Sequence, residues 1–572
     1  MQQVGDEEEI PVVVLMVNKG KTQSERELAA VQSLAGKYPE ARAAVEAFGK
    51  PMDVADVKLA AQIRKEYRQM MKDESGKDAA RNLKNYLKGK ARDIEVSEEL
   101  ASLTVSASKQ LILELEQRDD IGAIFLAAPE KMRPAMNAAA CTVRAHQVWN
   151  RGFLGNGTNI GIMDVGNVST SNTFLNLSSV KRTVNGNPSY IDHATKTASV
   201  AASTYISYQG IAPQATIISV GISGSEQDAI NGLNWAADNG VSVLNVSGGF
   251  QYSPSLEYTD RAFDKYARDR NILVVLAAGN SGGYMISPAK AWNVITVGSF
   301  HDQNNCQWPD DANKMSLFSS YINPQSPNDD REKPEVVAVG EDVSMLTVNN
   351  QLDSDNGTSF SAPMVSGTAA LLMSRNSQLM DWPEAVRAIL MATAFHNIEG
   401  SASIIPGEEA RDGAGAIDAG KADLTATTKC TTKTTPCGNR GWWGLSVLQT
   451  TPEINRYITA KAGKRVRVAI AWWALSDCTN VTNCSDSSDR LATDLDLYVY
   501  DPNGNIVSAS TESGGDEEDG GYINGSVSAS YDNNYELVDF NAPVTGTYRI
   551  RITKPRMEEY SNWVGVAFFS KN

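Results

Sequence analysis

Apolar and polar positions along the 572-residue chain fall into three textures. Near the start, the unbroken apolar run Ile10–Val17 predicts a strand. A long charged stretch follows, from about Ser24 to Lys90. In it Val57, Leu59, Ala60, Ile63, Tyr67 and Met70 recur at helical spacing. Ser102–Ser106 reads as a strand, Ser108–Gln117 as a short helix and Ile121–Ala127 as a strand, and the Met/Pro/Ala-rich segment Lys131–Ala140 reads as an exposed linker. Residues 1–136 are therefore expected to form an α+β region.

From about 137 to 425, short runs rich in β-branched residues alternate with helical patterns. The runs are Asn159–Asp164, Ala215–Val220, Val241–Val246, Ile272–Ala277, Val294–Val297 and Val336–Val339. Helices are expected at Thr195–Ser203, Glu226–Asn239 and Leu256–Arg270. Continuously apolar strands separated by amphipathic helices imply a mainly parallel sheet covered on both faces, the α/β class. Ligands of such sheets bind beyond the carboxyl ends of the strands. From about 430 to 572 the period changes again. Arg465–Trp473, Asp494–Tyr500, Gly546–Thr553 and Trp563–Phe569 read as strands, with a turn at Pro502-Asn503-Gly504, and predict a separate antiparallel β-sandwich. Ser513–Gly521 reads as an acidic solvated loop.

Composition narrows the function classes. Lys+Arg total 52 against 68 Asp+Glu, a net charge of −16, so the long-range field repels nucleic acid. No apolar run reaches the roughly 18 residues that a membrane-spanning helix needs. Ile10–Val17 follows Glu7-Glu8-Glu9, the wrong flank for a secretion signal, so any such signal is expected to be absent from this sequence. Six cysteines are present. Cys430 and Cys437, and Cys478 and Cys484, form two close pairs in polar loops without zinc-site spacing. They are expected to be disulfides of an extracellular protein, with free loop thiols as the alternative. Cys141 and Cys306 cannot be paired from spacing.

Histidine is the commonest general base near neutral pH, and the chain has four. His146, His301 and His396 have sufficient structural explanations. His193 opens the small-residue stretch His193–Ala202, where a helix meets a loop; a helix-capping role is the alternative. Asp164 ends the first strand of the middle region. A buried carboxylate there needs a partner, and an imidazole N–H supplies one; capping of the following turn is the alternative. Two serines compete as nucleophile. Gly279-Asn280-Ser281-Gly282-Gly283 matches the G-x-S-x-G pattern, but no helix follows it. Asn356-Gly357-Thr358-Ser359 instead leads into a long apolar helix, whose N-terminus favours developing negative charge.

Taken together, these blocks resemble the subtilisin-like serine proteases, the subtilases, over roughly residues 140–425. The order Asp164, His193, Ser359 is the acid–base–nucleophile order of that family. Gly210–Ala215, Asn245–Gly249, Ala277–Asn280, Ser287–Gly298, Lys333–Ala338 and Gly413–Ala419 fit its other blocks. The resemblance implies that His193 takes the proton of the Ser359 hydroxyl, that Asp164 orients the imidazole, and that Asn280 stabilises the oxyanion. It also implies that Ser247, Gly248, Gly249, Ala277, Ala278 and Gly279 bind substrate. Departures include Val165 after the aspartate, Ala194 and Lys196 after the histidine, and Phe360, Ser361, Ala362 and Met364 around the serine. Phe250 is expected to narrow the pocket for the residue before the scissile bond.

Residues 1–136 resemble the family's inhibitory prodomain, with a helical insertion. The resemblance implies that the prodomain is an intramolecular inhibitor and that self-cleavage falls within Lys131–Cys141. Residues 430–572 resemble the β-sandwich that follows the catalytic domain in some secreted subtilases. There Asp494, Asp496 and Asp501 could ligate a structural calcium, or could simply alternate outward on a strand. No cofactor is needed for the chemistry. The expected function is a secreted, self-processed serine endopeptidase acting on proteins or peptides through an acyl-enzyme. The alternatives are a pseudoprotease that binds a peptide or partner without turnover, and a binding protein whose function lies in the β-sandwich.

Overall fold

A computed structural model describes residues 9–16, 32–34, 36–37, 66, 75–97, 102–118, 120–126, 133–134, 140–184, 189–205, 208–302, 314–328, 331–395, 411–475, 489–507, 527–528 and 530–571. Most of the charged helical stretch, His396, Cys306, the Cys478–Cys484 pair and Ser513–Gly521 lie outside these residues.

The N-terminal region is an antiparallel sheet of β1 (Glu9–Met16), β2 (Arg92–Ser97), β3 (Ser102–Ser108) and β4 (Ile121–Leu126), in the order β2-β3-β1-β4. Helices α1 (Ser75–Leu87) and α2 (Lys109–Glu116) pack on it. Their apolar faces, Ala80, Leu83, Leu87, Leu111, Ile112 and Leu115, close a small core over Val14, Leu103 and Val105. Ser108 starts α2 because its hydroxyl accepts the Leu111 N–H, satisfying a donor in the first helical turn. β5 (Arg133–Pro134) belongs to no part of this sheet. It pairs with the middle region.

Short α3 (Ala145–Trp149) leads into the middle region. Its strands are β6 (Asn159–Val165), β7 (Thr216–Ile222), β8 (Val243–Val246), β9 (Gly248–Gly249), β10 (Leu273–Ala277), β11 (Ile295–His301), β12 (Lys314–Met315), β13 (Val336–Val339), β14 (Val343–Leu346) and β15 (Leu352–Asp355). All six expected runs are strands. The main sheet has the order β12-β11-β10-β8-β6-β7, with β13 also beside β11; it is parallel except at β12. α7 (Thr358–Arg375) lies over β8, β10 and β11, and α4 (Asp192–Ala202) packs on α7. α5 (Glu226–Asp238) sits by β6 and β7, with α6 (Tyr258–Arg270) beside it. Cover on both faces explains why Ile160, Ile162, Met163, Val274, Val275 and Leu276 are all buried without alternation. The chain runs from β6 outward to β7 and then back past β6 to β8. That reversal places the carboxyl ends of β6 and β8 at a topological switch point, where open sheets of this class hold ligands.

The C-terminal region follows α8 (Pro383–Thr393) and α9 (Ala419–Ala426). Its strands are β16 (Arg440–Leu448), β17 (Ile454–Ala460), β18 (Arg465–Trp472), β19 (Thr493–Tyr500), β20 (Val527–Ser528), β21 (Tyr535–Asn541), β22 (Gly546–Met557) and β23 (Ser561–Ser570). They form two antiparallel sheets, β16-β23-β18-β21 and β17-β22-β19-β20. A disulfide joins Cys430 and Cys437. Cys141 is also disulfide-bonded.

The sandwich is not separate in its packing. Along β18, Val466, Val468, Ile470 and Trp472 face the sandwich interior, whereas Ala469, Ala471 and Trp473 join the core of the middle region. A period of two with both sets apolar means that both faces of this sheet are covered. α8 is the cover, and its eleven residues are all buried. Gly565 permits the contact, because a Cβ there would lie 2.3 Å from the Ala385 nitrogen.

The same interface buries charge. Glu335 accepts Arg387 and the Thr296 N–H, and Arg387 also bonds Asn534 of the sandwich at 2.9 Å. Nearby, burial raises the Asp264 carboxyl from 3.8 to about 7, against the opposing pull of Arg331. The folded chain therefore holds a proton that the unfolded chain releases at lower pH, and this group's contribution to stability falls as pH rises from about 4 to 7. Replacing it by Asp264→Asn is expected to flatten that part of the stability–pH curve. Urea titrations at pH 4.5, 6 and 7.5 would detect this, and an unchanged slope would refute it.

Candidate active site

β6 ends in Asp164, and the loop beyond returns through α4, whose second residue is His193. Both side chains are buried. His193 Nδ1 lies 2.5 Å from Asp164 Oδ2, while Asp164 Oδ1 accepts the Val165 N–H at 2.7 Å. The carboxylate is thus satisfied at both oxygens. The imidazole is held by its δ nitrogen, so its ε nitrogen is the end that can act as base. Val165 costs nothing here, because the bond it makes is a backbone bond.

Ser359 occupies the first turn of α7, after Gly357, whose φ of 150° is a glycine conformation. Pro363 lies inside this helix. Lacking an N–H, it cannot bond the carbonyl four residues back, which is that of Ser359. Ser247 takes that acceptor: its hydroxyl donates to Ser359 O at 2.7 Å. In return the Ser359 hydroxyl donates to Ser247 O at 2.6 Å. Ser247 directly follows β8, so the nucleophile candidate is tied to the end of the neighbouring strand. The Phe360 ring lies 5.8 Å from the His193 ring.

Asn280 follows β10. Its Oδ1 accepts the Thr358 N–H at 2.9 Å and the Thr358 hydroxyl at 3.0 Å, which leaves Nδ2 as the donating end of the amide beside Ser359. Thr358 also accepts the Gly279 N–H. The rival serine, Ser281, spends its hydroxyl on Tyr284 O and Ser320 in a turn. Asp164, His193, Ser359 and Asn280 are therefore brought together from four separate segments, and Ser281 is left out.

The chain belongs to the subtilase family. The family's model matches residues 84–430, and a bacterial pre-peptidase C-terminal domain model matches residues 457–554. Subtilisin Savinase of Lederbergia lenta is 36% identical over 245 residues, covering 41% of this chain and 82% of that protein. The alkaline protease of Alkalihalobacillus alcalophilus is also 36% identical over 245 residues, 58% of its length. Among solved structures, the epidermin leader peptide processing serine protease of Staphylococcus aureus aligns with 61% of this chain and 97% of its own, at 19% identity and a TM-score of 0.47. The chain is thus a subtilisin-like serine protease, a family whose catalysis needs no cofactor.

The segments expected to bind substrate lie around Ile286. β9 pairs antiparallel with β5, with Arg133 opposite Gly249 and Pro134 opposite Gly248. Ala278 and Gly279, after β10, both meet Ile286. Ile286 lies against both glycines: a Cβ on Gly249 would lie 2.7 Å from Ile286 Cγ1, and one on Gly279 would lie 3.2 Å from Ile286 Cβ. Its backbone N–H is bound to Ala278 O at 3.0 Å, and the adjoining Ser287 bonds Phe250 and Gln251. Phe250, expected to narrow the pocket, is buried in the core; Ile286 is the residue that lies against both glycines. Two of the three aspartates considered for calcium, Asp496 and Asp501, are engaged by groups of the sandwich itself. Asp501 Oδ1 accepts the N–H groups of Asn503 and Asn505 in its own turn, and Asp496 bonds Tyr498 and Thr553. Among the described residues no cluster of three or more His, Cys, Asp or Glu could hold a metal.

Proposed function

We propose that this subtilase is a secreted endopeptidase made as a self-processed zymogen, divided into a prodomain (1–136), a catalytic domain (137–425) and a β-sandwich (430–572). His193 removes the proton of Ser359 Oγ, which attacks the peptide carbonyl. Asp164 stabilises the imidazolium, and the Asn280 amide with the N-terminal end of α7 receives the oxyanion. Collapse to the acyl-enzyme expels the amine, protonated by His193, and water then hydrolyses the ester. The observation that carries this reading is the convergence of Asp164, His193, Ser359 and Asn280 beside the β8–β9 strand. Secretion is supported by the disulfide-bonded Cys141, Cys430 and Cys437.

The zymogen reading rests on β5. Residues just before the catalytic domain lie on Gly248–Gly249 as an added strand, the way an extended peptide binds a sheet edge. The N-terminal region is further anchored where Ser102 and Tyr258 share a hydrogen bond of 2.6 Å. Gly248 directly follows Ser247, the residue bonded to Ser359. The bond expected to be cleaved therefore lies after Pro134, within Lys131–Cys141. Mass mapping of purified wild type beside Ser359→Ala tests this. A new N-terminus between Pro134 and Cys141 in wild type alone supports it, and cleavage of neither protein supports the pseudoprotease alternative.

Ile286 predicts the preference of the pocket. With Ile286 against both Gly249 and Gly279, the residue before the scissile bond should be small. Ile286→Gly is expected to shift the ratio of kcat/KM for phenylalanine over alanine at that position upward by about 10- to 100-fold. Matched fluorogenic peptides would measure it. A wild type that prefers phenylalanine would contradict the assignment.

A further inference from the structure

Lys196 lies one helical turn after His193, and its side chain is only 7% exposed. Its Nζ stands 3.0 Å from Asp192 Oδ2, 2.6 Å from Asp353 Oδ2 and 3.9 Å from Asp355 Oδ2. Asp192 is the first residue of the helix that carries His193. Asp353 and Asp355 belong to β15, which runs through Asn356 and Gly357 into Ser359. Two more bonds follow the same route. Asp192 Oδ1 accepts the Val348 N–H, and Ser199 Oγ accepts the Leu346 N–H, each at 3.0 Å.

Neither helix start is capped by the residue before it, Ile191 for α4 and Gly357 for α7, although Asn280 accepts the Thr358 N–H at the start of α7. The two helices cross farther along, where Gly367 comes against Ile211 and the Ala201 carbonyl. That contact fixes the helix bodies. It leaves the spacing of their N-terminal turns, and hence of the imidazole and the hydroxyl, to be set by what joins those turns.

We propose that Lys196 is a positioning residue, an ammonium clamp that holds the start of the histidine helix to the hairpin feeding the serine turn. The proposal rests on the peptidase reading above. The ammonium is well suited to the task. Burial pulls its pKa down, but hydrogen bonds to Asp353 and Asp192 outweigh this and leave it above the ordinary lysine value. Lys196 in turn holds Asp353 below the usual carboxylate range. The clamp therefore stays charged across the neutral range. It gathers two hydrogen bonds and a longer ion pair on one compact centre, which is what lysine supplies.

The test is steady-state kinetics on the full chain for Lys196→Met, Lys196→Arg and Asp353→Asn, with active sites counted by a phosphonylating reagent. A misplacement near 1 Å costs up to about 100-fold, so kcat per titrated site should fall about 10- to 100-fold in Lys196→Met. KM should stay within about twofold, and Lys196→Arg should restore most of the loss. Asp353→Asn, a change at a half-exposed residue, should move kcat the same way if Lys196→Met does not fold. The low-field proton resonance of His193 should shift in Lys196→Met and return in Lys196→Arg, a readout independent of turnover. Unchanged kcat per titrated site and an unmoved resonance would overturn the clamp. A wild type without any hydrolysis sensitive to Ser359→Ala would instead overturn the peptidase reading, and the resonance would then decide the clamp alone.

Discussion

Ser359→Ala is expected to lower kcat on the order of 10⁶-fold while leaving the fold intact. The change removes one oxygen, which in the ground state donates to Ser247 O. The reciprocal bond, Ser247 Oγ to Ser359 O, uses backbone at position 359 and survives the substitution. The Asp164–His193 pair and the Asn280–Thr358 tie do not involve the hydroxyl at all. Stability should therefore move little, although one buried acceptor on Ser247 loses its partner at a cost of about 1 kcal/mol. Residual hydrolysis should come from the oxyanion donors and substrate alignment alone. The variant should also keep its N-terminal region covalently attached. Activity within tenfold of wild type would show that another group performs the attack.

Removal of the β-sandwich is expected to be equally severe, but through stability. A chain ending at residue 429 should not yield a soluble, active peptidase. Domains within one chain ordinarily meet through modest, polar interfaces and move independently. Here the sandwich contributes Trp442, Ala469, Ala471, Trp473, Tyr535, Trp563 and Ala567 to the core of the catalytic region. Truncation would expose α8, all of whose residues are buried. It would also strip partners from charges that cannot reach water unaided: Arg261 pairs with Asp489, Arg268 with Glu559, and Arg387 with Asn534. Leaving a single buried charge uncompensated costs about 3–5 kcal/mol, comparable with the whole stability of a small domain. The paired bonds between the Asn293 side-chain amide and the Ala474 main chain would be lost as well. Calorimetry of the full chain should show the two regions melting in one transition, and solubility and circular dichroism of residues 1–429 give the direct check. A folded fragment with wild-type kcat would mean that the sandwich is an appendage after all.

That interface is where reading the sequence fell short. The run Arg465–Trp473 was legible as a strand, and so was the sandwich to which it belongs. Its alternate residues Ala469, Ala471 and Trp473 are apolar too, a sign of two covered faces, yet nothing local names α8 as the cover. In the N-terminal region β1, β3, β4 and α2 follow directly from their patterns. β2 does not, because Asp93 and Glu95 interrupt its apolar positions and pairing with β3 decides it.

The chain order of Asp164, His193 and Ser359, the runs of β-branched residues and the glycines around Asn280 are local properties, and they determined the fold class, the family and the candidate site. Backbone sterics and hydrophobic period act over a few residues, so they can be read without coordinates. Tertiary structure alone decided that Pro363 frees a carbonyl for Ser247, that Ile286 lies against both Gly249 and Gly279, that Lys196 reaches Asp353, and that the sandwich shares a core with the protease. Each of these joins residues brought together by the path of the chain and the packing of side chains. Their energies depend on distances of a few ångströms that no spacing along the sequence encodes.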